Sequence, residues 1–154
     1  MARKNYKRGD GNEHFTKMIR STMTTKAWRA LSPTAQALYP WLKLEWKGAD
    51  YCNNGKIRLS VRQAAECLGV SINTASNAFH DLQAKGFIKV NQTARLGSGG
   101  NATGHSYYLM ELRHTVYREG GEAKSTKMFY DWREGQDFPV VKAATNNPKG
   151  RNGK

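Results

Sequence analysis

The sequence predicts an α+β winged helix-turn-helix fold with a small β-hairpin wing, flanked by basic flexible tails. Three observations carry this. Two helical stretches, 61–68 and 72–85, are separated by only three residues, Gly69, Val70 and Ser71. Two β-type stretches, 87–90 and 106–112, follow directly and enclose a glycine-rich connection. Lys and Arg outnumber Asp and Glu 25 to 12 in 154 residues, a formal charge of +13, and a 38% hydrophobic content suffices for one core.

In chain order, residues 25–31 place Trp28 and Leu31 three apart, an apolar lead-in at helical spacing. Ser32-Pro33 then supplies an N-cap followed by proline at the first helical position, where its missing N–H is harmless. Ala35, Leu38, Trp41, Leu42 and Trp46 continue at three-and-four spacing, but Pro40 removes the hydrogen bond to residue 36, so a kink or break is expected near Tyr39. Gly48 ends the stretch, Asn53-Asn54-Gly55 forms a turn tolerant of positive φ, and 57–59 reads as a short strand.

Ser60 and Gln63 make a capping box ahead of Val61, Ala64, Ala65 and Leu68, which form one apolar stripe. Cys67, beside that stripe, is expected as a small core residue. Gly69 stops this helix in the left-handed conformation and Ser71 caps the next. That second helix, 72–85, turns Ala75, Ala78, Phe79 and Leu82 inward and closes at Gly86. In the connection between the two strands, residues 96–104 hold four glycines, which predicts a long tip rather than a two-residue turn. The aromatic cluster Met128, Phe129, Tyr130 and Trp132 is expected to pack back on the domain. The resulting division is a basic arm over 1–13, the domain over 14–138 and a basic tail over 139–154.

The charge surplus is uneven. Residues 1–31 carry eight basic and two acidic side chains, and residues 139–154 carry four basic and none acidic. Such a balance favours a polyanionic partner, of which nucleic acid is the commonest. No apolar run approaches the roughly 20 residues of a membrane helix. The N-terminal basic residues lack the apolar stretch of a secretory signal, so a cytoplasmic protein without membrane contact is expected. Cys52 and Cys67 form neither a disulfide framework nor a zinc pattern, and His14, His80, His105 and His114 are too scattered for a metal site and read as surface residues. Neither a G-x-S-x-G elbow nor a phosphate loop ending in Gly-Lys-Ser or Gly-Lys-Thr occurs, so no enzyme and no cofactor are expected.

What remains is a surface for double-stranded DNA. If small alanines seat the second helix on the first, its opposite side offers Asn73, Thr74, Ser76, Asn77 and His80, next to the capping Ser71. Asn can bond adenine with two hydrogen bonds, Ser and Thr can bond bases or phosphates, and His can donate to phosphate or guanine. Arg62 in the leading helix and Lys89, Arg95 and Arg113 in the hairpin add phosphate contacts. The expected contact set is therefore Arg62, Ser71, Asn73, Thr74, Ser76, Asn77, His80, Lys89 and Arg95. A homodimer is left open, because no heptad repeat marks a dimer seam.

The run from Asn54-Gly55-Lys56-Ile57-Arg58-Leu59-Ser60 through Ala64-Ala65-Glu66-Cys67-Leu68-Gly69-Val70-Ser71-Ile72-Asn73-Thr74 resembles small bacterial winged helix-turn-helix proteins of the kind encoded on alphaproteobacterial chromosomes, prophages and plasmids. The likeness extends from about His14 to Asp137 and includes Ala37-Leu38-Tyr39-Pro40-Trp41 and Tyr130-Asp131-Trp132-Arg133. It implies a DNA-binding module, with transcriptional control as the preferred role. Replication initiation or plasmid maintenance is the alternative, and a protein-interaction winged helix with incidental nucleic-acid affinity is a third. In related GntR-like winged helices, recognition residues fall where Arg62, Ile72, Asn73, Thr74 and Ser76 stand here. Ile72 and Ser76 stand where basic residues are frequent in that family, so the resemblance does not carry its direct guanine readout over to these two positions.

Overall fold

The computed structural model describes residues 13–95, 103–112, 118–119, 122–123 and 127–142. Five helices and an antiparallel hairpin make a mixed α+β molecule. The helices are α1 (Arg20–Met23), α2 (Lys26–Ala30), α3 (Pro33–Leu44), α4 (Val61–Leu68) and α5 (Ile72–Ala84). The hairpin pairs β1 (Ile88–Gln92) with β2 (Ser106–Leu109), and a two-residue pair, β3 (Arg118–Glu119) and β4 (Glu122–Ala123), comes later. A 3-10 turn, Met128–Tyr130, precedes the C-terminal segment.

Side-chain caps set the helix starts. Thr25, Ser32, Ser60 and Ser71 each accept a hydrogen bond from the backbone N–H three residues on, and Gln63 completes the capping box by accepting from the Ser60 N–H at 3.0 Å. Gly69 ends α4 at φ +66°, with open space where a Cβ would stand, so glycine is favoured there for its backbone alone. α3 carries on through Pro40 instead of breaking. Leu38, Tyr39 and Leu42 are fully buried on either side of the proline, and that packing outweighs the ~3 kcal/mol a proline costs inside a helix.

Ala64, Ala65, Ala75 and Ala78 are all buried, so α4 and α5 cross closely through small side chains. Cys67 is exposed, which corrects the expectation that it belongs to the core. At 100° per residue it lies roughly 110° round from the middle of the α4 stripe. The expected strand at 57–59 reduces to one bridge, in which the Tyr107 N–H donates to Ile57 at 2.9 Å and the Gly55 N–H to Tyr107 at 3.0 Å. β1 begins one residue later than expected and runs to Gln92, and β2 stops at Leu109. The register pairs Ile88 with Leu109, Lys89 with Tyr108 and Val90 with Tyr107, then shifts before Gln92 meets Ser106. Two backbone hydrogen bonds of 2.9 Å between Arg95 and Thr103 prolong the hairpin. Residues 96–102 of its expected glycine-rich tip lie outside the described residues.

The core centres on Trp28, Tyr39 and Phe87, mutually edge-on at 5.5 to 5.6 Å. Phe129 stacks on Phe87 and, with Trp132, is buried, as expected of the C-terminal cluster, whereas Tyr130 is exposed. Gly86 is what lets this segment in. Its φ is +82°, and a Cβ there would stand 2.9 Å from the backbone of Met128 and Phe129. A buried polar cluster fastens the N-terminal segment to α3 and the end of β2. Glu111 accepts hydrogen bonds from Thr22 at 2.9 Å and Tyr39 at 2.8 Å, and pairs with Lys43 at 3.0 Å. Lys43 also donates to the Lys17 carbonyl.

Candidate nucleic-acid interface

α5 projects its apolar residues inward, apart from the exposed Ile72 at its start, and leaves a polar side facing out. Asn73, Thr74 and Asn77 are exposed, and Ser76 and His80 are half-buried. Helical spacing puts Asn73, Asn77 and His80 within roughly 60° of one another, with Thr74 and Ser76 on the two flanks. Between residues 71 and 84 there is no Lys or Arg. Ser71 is exposed but already engaged. Its hydroxyl accepts from the Thr74 N–H at 3.1 Å and meets the Thr74 hydroxyl at 2.9 Å, so its first role is to start the helix and orient Thr74.

The C-terminal segment lies along the last turns of the same helix. Gln83 holds both backbone groups of Val141: its side-chain oxygen accepts from the Val141 N–H at 2.8 Å and its amide donates to the Val141 carbonyl at 3.3 Å. The Phe138 N–H donates to the Ala84 carbonyl at 2.9 Å. Asn77, His80, Ala84, Val140 and Lys142 consequently border one shallow depression. The first two turns of α5 remain open while the last two are flanked by this strap. Burial lowers the His80 pKa, and the nearby Lys142 and His105 lower it further, which favours the neutral imidazole.

Of the remaining predicted contacts, Arg62 is exposed on the second residue of α4, and Arg95 is exposed at the far end of the described hairpin. Lys89 is half-buried on β1 opposite Tyr108. Arg113 and His114 lie outside the described residues. His105 is not the surface residue expected from its isolation in the sequence. It is half-buried, its Nδ1 accepts from the Ala94 N–H at 2.8 Å toward the far end of the hairpin, and burial lowers its pKa.

Three residues that position this surface went unnoticed in the sequence. Arg58 ties the two hairpin strands together, donating to the Gly104 carbonyl at 2.6 Å and to Gln92 at 3.2 Å. Asn54 holds Leu109 by both its N–H, at 2.7 Å, and its carbonyl, at 3.2 Å. Gln83, an apparently ordinary polar residue near the end of a helix, is 3% exposed because the strap covers it. Only the Lys and Arg excess near the termini hinted that the tail belongs near this face.

Among the described residues, no group of three or more His, Cys, Asp or Glu could hold a metal ion, and no helix is long and apolar enough to cross a membrane. Comparison of the chain with protein-family models, curated proteins and solved structures finds no match.

Proposed function

We propose that the protein is a winged helix-turn-helix that binds duplex DNA in a sequence-dependent way, without chemistry, in the role of a transcriptional regulator. α5 enters the major groove, about 12 Å wide, with its first two turns. The hairpin beyond β1 acts as the wing, and Arg62, Lys89, Arg95 and Lys142 approach phosphates. The observation that carries this reading is the exposed, uncharged polar face of Asn73, Thr74 and Asn77 at the start of α5, left uncovered while the chain's own C-terminal aromatics Phe129 and Trp132 are buried in the core. The order helix, bridging strand, helix, helix and hairpin supports it, as does the charge of +13.

Recovering duplexes from a random pool with the full chain tests the proposal. Enrichment of one short motif is the expected result, as a single copy for a monomer or as an inverted repeat for a two-fold dimer. Recovery indistinguishable from the input pool, together with binding that vanishes uniformly as salt rises, would overturn it.

A further inference from the structure

We infer that Ile72 is a specificity-determining residue that reads the 5-methyl group of thymine, and that α5 is therefore built for A·T base pairs. This rests on the duplex-DNA reading above and names the chemistry of the same surface. Ile72 is the first residue of α5 and is 54% exposed, the one large hydrophobic side chain on that helix left facing solvent. Every other large apolar residue of the helix, Phe79 and Leu82, is buried. The cap is supplied by Ser71, and the close contact with α4 comes from alanines.

The neighbouring residues narrow the target. The first turns of a recognition helix are the part that reaches base edges in the major groove. There, guanine is read chiefly by the forked or point charge of Arg or Lys, and none occurs from residue 71 to 84. Adenine is read by Asn through its N6 and N7 atoms, and Asn73 directly follows Ile72 while Asn77 lies one turn on. The partner of adenine carries the groove's one apolar group, the thymine methyl. Successive helix side chains diverge by about 100°, so Ile72 and Asn73 reach neighbouring positions in the groove and together suit adjacent A·T pairs: hydrogen bonds on a purine, desolvation of a methyl on a pyrimidine.

The test uses the duplex that the full chain selects from a random pool and replaces its thymines one at a time by deoxyuridine, which pairs identically and lacks only the methyl. Dissociation constants are measured for the native chain and for Ile72→Ala, with circular dichroism verifying that the variant folds. One replacement should weaken the native chain about four-fold, the worth of one buried methyl group. Ile72→Ala should bind the thymine duplex more weakly than the native chain and should not distinguish thymine from uracil at that position. Indifference of the native chain to every replacement, or equal sensitivity of Ile72→Ala, would overturn the inference while leaving DNA binding intact. Failure to select any duplex would remove the inference together with the reading beneath it.

Discussion

Phe129 lies flat on Phe87, with ring centroids 4.8 Å apart and planes 2° from parallel. The contact turns the C-terminal aromatic cluster into the core and away from the outward side of α5. Because Phe129 is 1% exposed, truncating it to alanine should cost about 3 to 5 kcal/mol in urea unfolding. A loss below about 1 kcal/mol would mean that the C-terminal segment is not part of the cooperative unit.

Two glycines separate backbone conformation from close contact. Gly69→Ala meets open space and should lose about 1 kcal/mol through its positive φ alone. Gly86→Ala combines positive φ with collisions against the Met128 and Phe129 backbone and the Phe138 ring, and should lose at least about 2 kcal/mol more. Equal losses at the two positions, measured by denaturant titration, would contradict the packing of the 3-10 turn on Gly86.

The Glu111 cluster gives stability a defined pH dependence. Burial raises the Tyr39 phenol well above its usual pKa near 10, and the Glu111 carboxylate beside it raises it further; burial also raises Tyr107. A group whose folded pKa exceeds its unfolded value favours the folded state fully below the unfolded pKa. That advantage disappears as pH climbs through the folded value. Unfolding free energy should therefore be level between about pH 8 and pH 10 and fall above that, less steeply in Tyr39→Phe. A Tyr39→Phe chain that loses alkaline stability as steeply as the native one would refute this. At neutral pH, Glu111→Gln strands the buried Lys43 ammonium and should cost about 3 to 5 kcal/mol.

Charged ends should act on every duplex alike. Residues 143–154 carry Lys149, Arg151 and Lys154, and they follow a segment that Gln83 fastens beside the candidate interface. Deleting them should weaken binding to selected and random duplexes equally and flatten the log-affinity against log-salt slope by up to about 2.7. Deleting residues 1–11, which hold Arg3, Lys4, Lys7 and Arg8, should flatten it by up to about 3.6. An unchanged slope in either truncation would show that those residues reach no phosphate.

Much of the fold was legible because its signals are local. Ser32-Pro33, the Ser60 and Gln63 box, and Gly69 followed by Ser71 each act on backbone within four residues, and each is found where the sequence places it. The helical period likewise sorted Ala75, Ala78, Phe79 and Leu82 from the outward side of α5. What stayed hidden depends on partners far away in the chain. Asn54 meets Leu109, Gln83 meets Val141, and Thr22 meets Glu111 across separations of 55, 58 and 89 residues. Composition cannot announce such pairs. Cys67 departs from the core because of its angle on α4, and the packing around Pro40 carries α3 past the proline without a break.

The most direct measurement compares Asn73→Ala with the native chain on the selected duplex and on a scrambled duplex of equal length and composition, at one salt concentration. Asn73 is exposed at the start of α5, so the fold should be unaffected. Binding to the selected duplex should weaken by about 1 to 3 kcal/mol while the scrambled duplex is held as before. Equal loss on both duplexes, or no loss on either, would contradict a base-reading role for the exposed face of α5.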